Sequence, residues 1–350
     1  MLLVYTGKRS QDLSQSFFQA PAEHFLIHPF SRAISRLRHN NDLFHFARAS
    51  EYLPDLIAQT KSAPAWADIC AERALDLLKM DREHFYISYS GGIDSTVALA
   101  SILANCEAHD IKRLRIILSH ESIRENPTFF QRYVSRLPLF SSFTNISGLL
   151  IATNSVLVTG ELGDQLFGSD ILARGAEFFG QESLFKSYEE FVPLYLTLVG
   201  KQVGTDRAGQ LFERIRPIVH ESPFPIKTTH DFFWWYNFSQ KWQYVKFRFT
   251  EKAHWDLGAR YGSHVIHFFD DPDFQKWSIL NHDLKLFGNW SNYKFAAKEY
   301  LFNFTKDSSQ RNLLKVQSLK NNYMYTRKRV AIAENYDELT YEDLKAYVRR

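Results

Sequence analysis

Residues 86–96 read YISYSGGIDST, and this stretch decides the predicted fold. Residues 85–89 are aromatic and β-branched, which is typical of a short strand. Residues 95–104, STVALASILA, return to the pattern of a helix. Gly91 and Gly92 lie at the junction, where glycine lets the backbone turn sharply and approach a ligand closely. The stretch therefore predicts a strand, a glycine turn and a helix in succession.

The same alternation continues on both sides of this turn. A helix is predicted over 63–80, and strands are predicted over 114–118 (LRIIL) and 155–159 (SVLVT). Asn126-Pro127 marks a further helix start. Strands that alternate with helices imply a parallel sheet. We therefore predict an irregular or helical segment over 1–62, an α/β core over 63–175, and a mostly helical portion over 176–350 that completes the site.

The glycine turn has the composition of a phosphate-binding loop. The hydroxyls of Ser90, Ser95 and Thr96 can donate to phosphate oxygens, and the start of the following helix favours an anion. Asp94 would repel phosphate unless Mg²⁺ lies between them. A plain Gly-Gly turn with a helix cap is the alternative. The chain contains neither G-x-x-x-x-G-K-[ST] nor G-x-G-x-x-G.

A second acidic element follows the third predicted strand. Residues 159–169 read TGELGDQLFGS and place Glu161 and Asp164 among glycines. Ligands of open α/β sheets bind at the carboxyl ends of the strands, so Asp94 and Asp164 are expected to meet there around Mg²⁺. An ordinary surface turn into an amphipathic helix is the alternative.

The SGGIDS string resembles the PP-loop of the N-type ATP pyrophosphatases. Residues 160–168 are similar to the G-E-G-S-D-E-L-F-G-G signature of the asparagine synthetase branch, with departures at Leu162, Gln165 and Ser169. The resemblance implies a PP-loop (adenine nucleotide alpha hydrolase-like) fold with ATP and Mg²⁺ as cofactors. It also implies an ATP-dependent amide-forming ligase, as in asparagine synthetase, β-lactam synthetase and lasso-peptide cyclases. Such an enzyme forms an acyl-adenylate with release of pyrophosphate, and ammonia or an amine then attacks.

The resemblance also assigns residues to roles. Asp94 and Asp164 would hold the metal, and Lys315, Lys298 and Asp94 would be catalytic. The family's Glu near the nucleophile falls on Ser263 or His264, so a histidine is a candidate replacement. The ATP and pyrophosphate would contact Ser90, Gly91, Gly92, Asp94, Ser95, Thr96, Leu118, Ser119, Gly160 and Glu161.

Two stretches of the second half leave alternatives open. Residues 232–249 hold ten aromatics in eighteen positions and could form a core helix, a substrate wall or a base-stacking surface. His264, His267 and Asp270 have a spacing that permits zinc, although an ordinary helix end explains the same pattern. Lys294 and Lys298, four positions apart, are predicted to share one helical face.

The composition of the 350 residues excludes several classes of protein. Two cysteines exclude a disulfide framework and a Cys-rich metal centre, which favours a reducing cytoplasm. Apolar runs are too short for a spanning helix or a secretory signal. The second residue is Leu rather than a catalytic Cys, so ammonia is expected from solution, a substrate amine, or a separate amidotransferase or carrier.

A small-molecule or peptide carboxylate is the expected substrate. The net charge of +3 (42 basic minus 39 acidic residues) is too small to favour nucleic acid. A PP-loop enzyme that modifies RNA and a non-catalytic ATP-binding descendant remain the two rival interpretations.

Overall fold

The computed structural model describes residues 35–37, 48–142, 150, 152–168, 171–198, 205–247 and 264–313. Within these residues lies a sheet of five strands that all run parallel, in the order β3-β2-β1-β4-β5. The strands are β1 Phe85–Ser88, β2 Leu114–Leu118, β3 Leu139–Ser141, β4 Val156–Thr159 and β5 Val265–His267. The predicted α/β class with a parallel sheet is thereby confirmed.

The helices of the described residues alternate with the strands as far as β4 and then dominate the chain. They are α1 Leu53–Gln59, α2 Trp66–Leu78, α3 Ile93–Asn105, α4 Ala108–Ile111, α5 His120–Glu125, α6 Pro127–Phe129, α7 Gly163–Phe167, α8 Ile171–Phe179, α9 Tyr188–Thr197, α10 Thr205–Ile215, α11 Thr229–Tyr236, α12 Trp242–Phe247, α13 Pro272–Leu280 and α14 Phe295–Thr305. None of them has the length and apolarity that crossing a membrane requires.

The chain divides into two compact units, each built from three separate segments. The sheet unit comprises residues 64–161, 255–271 and 296–350, and the helical unit comprises residues 1–63, 162–254 and 272–295. This division differs from the consecutive segments 1–62, 63–175 and 176–350 that the sequence predicts. The chain leaves the sheet unit after β4 and returns to it to form β5. No local sequence pattern predicts this return.

The core of the sheet unit lies around β1, which is flanked by β2 on one side and β4 on the other. Strands covered on both faces are almost continuously apolar, and β4 is buried along its whole length. Helices α2 and α3 pack against each other, with Cys70 fully buried in α2. Cys106 is half-buried and follows the end of α3.

Two strands were not foreseen from the sequence. β3 and β5 have three residues each, which is too short for an alternating pattern to develop. β5 lies in the stretch for which an ordinary helix end was the simplest expectation, and that expectation is wrong. Its residues pair with β4 in the register Leu157↔Val265 and Thr159↔His267, so the neighbouring strand decides their conformation.

The aromatic stretch 232–249 is a core helix over its described part. Helix α11 passes through a π-helical turn, Asn237–Lys241, into α12. Its fully buried aromatic side chains are Phe232, Phe233, Trp234, Trp235, Phe238 and Trp242. The predicted core role is confirmed for these side chains, because a buried ring offers no face to a base or a substrate.

Candidate functional site

The loop that follows β1 is shaped by its own hydroxyl groups. The Ser95 hydroxyl lies 2.9 Å from that of Ser90 and 3.1 Å from the Gly92 carbonyl oxygen. The Thr96 hydroxyl donates to the same carbonyl at 2.8 Å, and Thr96 is fully buried. Thr96 therefore stabilises the shape of the loop. The sequence had suggested that its hydroxyl donates to a phosphate, but in the structure this hydroxyl is buried and already donates to the Gly92 carbonyl. Ser90, which is half-buried, is more accessible.

Gly91 is essential to the path of this loop. Its φ of +79° is one that residues with a side chain rarely adopt. A Cβ atom there would lie 2.2 Å from the Ser122 carbonyl oxygen and 2.7 Å from Cβ of Glu125. The loop thus passes directly beside α5, where only glycine fits.

Helix α3 begins immediately after the loop, and its first turn has no side-chain cap. Gly92 is the N-cap residue and can offer no side-chain acceptor. The first amide groups of an α-helix have no partner within the helix, and they carry the positive end of its dipole. A 13-residue helix that starts in this way at a glycine loop is suited to bind an anion.

Gly160 brings the end of β4 against the same helix start. A Cβ atom on Gly160 would lie 2.6 Å from the Ser95 amide nitrogen and 2.8 Å from the Asp94 carbonyl carbon. β1 and β4 are adjacent, while β2 lies on the other side of β1, so the strand order reverses between them. Ligands of open α/β sheets bind at such a reversal, beyond the carboxyl ends of the strands.

The predicted adenine contact at the end of β2 has its polar groups engaged. The Leu118 carbonyl accepts from the Ser142 amide at 2.8 Å. Ser119 caps α5, and its amide and hydroxyl both pair with the Ser122 hydroxyl. Leu118 and Ser119 can therefore offer van der Waals contact to a ring, while the Leu118 carbonyl and the Ser119 amide are already satisfied.

His264 and His267 lie at opposite ends of β5. His264 precedes the strand and donates from Nδ1 to the Ser155 carbonyl at 2.7 Å. His267 ends the strand, and its Nδ1 is 2.7 Å from the Thr159 hydroxyl. Three residues of a strand span about 10 Å, so the two rings do not share a ligand. His264 is at the wrong end of the sheet to replace the family's Glu, and the zinc interpretation is wrong for the same reason.

Asp164 forms an ion pair that the sequence did not predict. The Lys294 Nζ lies 2.8 Å from Oδ1 of Asp164, and the Lys294 side chain is only 3% exposed. Lys294 has a φ of +60° and precedes α14, so it does not share a helical face with Lys298. Asp164 belongs to the helical unit and Asp94 to the sheet unit. Their joint binding of a metal stays a prediction.

The structure describes only some of the remaining predicted site residues. Lys298 lies in α14 and is buried, and it belongs to the same unit as the loop. Glu161 follows Gly160, and its amide donates to the Thr159 hydroxyl at 3.3 Å. Lys315 and Ser263 lie outside the described residues. The catalytic assignment of both lysines therefore stays a prediction.

The charges around the loop fit a hard divalent cation as counterion for phosphate. Asp94 lies in the first turn of α3, Glu125 packs against Gly91, and Glu161 comes directly after Gly160. Carboxylate oxygens are the ligands that Mg²⁺ prefers, and a phosphate beside them needs its charge neutralised. The donor set of the sheet unit is thus compatible with Mg²⁺.

A second polar cluster, which the sequence did not reveal, lies in the helical unit. The His282 Nε2 donates to Oδ1 of Asp231 at 2.8 Å, and Lys285 Nζ lies 2.9 Å from the His282 Nδ1. His230 lies beside them and donates from Nε2 to the Phe167 carbonyl at 3.2 Å. Lys285 is fully buried, with its Nζ 3.6 Å from the centre of a Trp234 ring.

Burial and mutual contact shift the pKa values of this cluster. Burial lowers the pKa of His230 to about 3, and the neighbouring His282 acts in the same direction. Burial also lowers the pKa of Lys285 well below its usual value. Burial pushes the pKa of Asp231 upward, but hydrogen bonds from His282 and from the Thr228 and Lys227 amides outweigh it, so that the pKa falls.

The sequence matches no model of a known protein family and no curated protein.

Proposed function

We propose that the chain is an ATP-dependent ligase that activates a carboxylate as an acyl-adenylate and then forms an amide. The observation that supports this most is the position of the Ser90–Thr96 loop. It contains two glycines, opens an uncapped 13-residue helix, and lies where the order of the parallel strands reverses. The resemblance of this loop to a PP-loop supplies the chemistry, since the fold alone does not define an activity.

In this proposal the sheet unit holds the nucleotide through its backbone. The amides at the start of α3 would face the phosphates. Gly91 lets the loop pass beside α5, and Gly160 lets the end of β4 pack against the start of α3. Ser90 adds a hydroxyl donor, and the hydroxyls of Ser95 and Thr96 hold the Gly92 carbonyl. Such preorganised donors stabilise charge without having to reorient during the reaction.

Mg²⁺ would be held by Asp94 and Asp164, and when bound it would neutralise phosphate charge. Asp164 is paired with Lys294 through Oδ1, and a carboxylate can bind a cation while it also pairs with a lysine. Lys298 and Lys315 are the proposed cations that stabilise negative charge on the reacting phosphate.

The proposed reaction has two steps. A carboxylate oxygen attacks the α-phosphorus of ATP, and the bond to the β-phosphate oxygen breaks to release pyrophosphate. The nitrogen of ammonia or an amine then attacks the acyl carbon, loses a proton and expels AMP. Holding the adenylate and the amine together makes the second step effectively unimolecular.

The free thiols Cys70 and Cys106 favour a cytoplasmic setting for the chain.

An acid-dependent exchange of labelled pyrophosphate into ATP tests this function. A panel of amino acids, peptides and sugar acids is offered to wild type, Asp94→Asn and Asp76→Asn. Asp76 is an exposed carboxylate of α2 and serves as the matched control. We expect at least one acid to support exchange, with a loss of about 100-fold in Asp94→Asn and no loss in Asp76→Asn.

Equal exchange in wild type and Asp94→Asn would remove Asp94 from the mechanism. ATP binding without exchange for any acid would overturn the ligase proposal and favour a non-catalytic ATP-binding protein. Binding of tRNA together with exchange that depends on RNA would favour the RNA-modifying alternative.

A further inference from the structure

We propose that His230, Asp231 and His282 form a site for one divalent transition metal of the Zn²⁺ class. One ligand atom of each residue lies within 4.8 Å of those of the other two. Two imidazoles and one carboxylate are a ligand set that Zn²⁺ accepts, and a tetrahedral ion then keeps one position for water. This site lies in the helical unit and does not depend on the proposed nucleotide chemistry.

The atoms of these side chains that would not bind the metal are already held by other groups. Nε2 of His230 donates to the Phe167 carbonyl, and Oδ2 of Asp231 accepts from the Lys227 and Thr228 amides at 3.0 and 2.8 Å. Nδ1 of His282 faces Lys285. Outer contacts of this kind orient metal ligands, and Nδ1 of His230, Oδ1 of Asp231 and Nε2 of His282 would then bind the metal.

The separation of the His282 and Asp231 ligand atoms needs only a small adjustment. Bonds of about 2.0–2.1 Å to a tetrahedral metal place neighbouring ligand atoms about 3.3 Å apart. His282 Nε2 and Asp231 Oδ1 are now 2.8 Å apart and share a proton. The metal would take the place of that proton, which leaves the site, and the two atoms would separate by about 0.5 Å. Nδ1 of His282 would take a proton from Lys285 and donate it in a hydrogen bond to the resulting neutral amine, so that His282 binds as a neutral imidazole.

Lys285 does not block the metal. It contacts Nδ1 of His282, on the opposite side of the imidazole from Nε2, and its Nζ lies against the Trp234 ring. Asp231 and His282 are only partly buried, with side chains 15% and 19% exposed, so an ion can enter from that side.

Co²⁺ is the probe, because a tetrahedral site gives it strong visible absorption. The purified full-length chain is stripped with a chelator and titrated with Co²⁺. We expect one equivalent to bind with intense absorption bands that Zn²⁺ abolishes. His282→Gln and His230→Gln should each weaken binding by about 100-fold or more, since outer-shell changes alone cost 10–100-fold. His109→Gln, at an exposed histidine of α4, is the matched control and should bind as wild type does.

Asp231→Asn provides a second variant if a histidine variant does not fold, because asparagine keeps an oxygen for the helix cap. Asp94→Asn should leave the Co²⁺ spectrum unchanged, which separates this site from the proposed nucleotide site. Absence of tetrahedral bands in wild type, or equal Co²⁺ affinity in wild type and the folded variants, would overturn the proposal.

Discussion

Replacing Gly160 with alanine adds one methyl group at a position where the neighbouring backbone leaves no room for it. Gly160→Ala would drive its Cβ into the backbone of Asp94 and Ser95, which cannot move as a flexible side chain can. We expect the free energy of unfolding to fall by about 1–3 kcal/mol and the proposed ATP binding to be lost, because the start of α3 must shift. Denaturant unfolding and equilibrium nucleotide binding measure the two effects.

Gly209→Ala is the control for this change. Gly209 lies within helix α10, and a Cβ there meets nothing within 4 Å. Alanine is the better helix former, so we expect stability to stay equal or to rise by about 0.5–1 kcal/mol. Equal stability of the two alanine variants would contradict the close packing described for Gly160.

A second prediction at the residue scale follows from the ion pair of Asp164 and Lys294. Asp164→Asn leaves the buried Lys294 ammonium without its paired carboxylate. We expect a cost of about 1–3 kcal/mol, below the range for a fully buried pair, because Asp164 is 30% exposed. Urea unfolding of the variant measures this cost.

Lys294→Met completes the comparison as a double-mutant cycle. Removing both charges should cost less than the sum of the two single changes, because neither charge is then left without the other. Additive costs would show that the two side chains do not interact. The positive φ of Lys294 is common to both backgrounds and cancels in the cycle.

At the scale of elements, the order of the strands predicts how strongly each is protected. β1 and β4 are each paired on both sides, whereas β3 and β5 have one partner strand each among the described residues. We expect amides of β1 and β4 to exchange with deuterium at least about tenfold more slowly than those of β3. Hydrogen exchange read by mass spectrometry tests this, with β2 as an internal reference. Equal protection of β1 and β3 would contradict the strand order.

Aromatic side chains form much of the core of the helical unit. Helices α11 and α12, with the π-helical turn between them, bury their large rings in the helical unit. The indole of Trp234 donates to the Leu166 carbonyl at 3.1 Å and so anchors the carboxyl end of α7. The second acidic motif is therefore held by a core helix far along the chain.

At the scale of the whole molecule, folding changes the chemistry of Cys70. Burial raises the pKa of its thiol far above the usual value of about 8.5, and a hydrogen bond with Ser101 opposes this only in part. Above pH 8.5 the unfolded chain loses a proton that the folded chain keeps. The contribution of this thiol to stability is therefore constant below pH 8.5 and falls as the pH rises, by about 1.4 kcal/mol per pH unit.

Cys70→Ala should accordingly flatten the loss of stability between pH 8.5 and 10. Cys106→Ala is the control, since Cys106 is half-buried and its pKa rises less. Urea unfolding at several pH values gives the comparison. A Cys70→Ala profile parallel to that of wild type would show that Cys70 ionises equally well in the folded chain.

The sequence by itself determined the glycine loop, β1, β2 and β4, and the parallel arrangement of the sheet, because each depends on a local pattern. Residues within 11 positions define the turn between β1 and α3, and strands that alternate with helices favour parallel pairing. Asn126 likewise caps α6 as its Asn-Pro sequence indicates, by accepting from the Phe129 amide. These features could be predicted from the sequence because residues close together in the chain determine them.

Only the tertiary structure decided β3 and β5, the partner of Asp164, and which histidine ends β5 at the loop edge of the sheet. His230, Asp231 and His282 show the reason: His282 lies 51 positions from Asp231, and no local pattern joins them. Burial against α11 brings these polar groups together, because a polar group removed from water must find a hydrogen-bonding partner inside the protein.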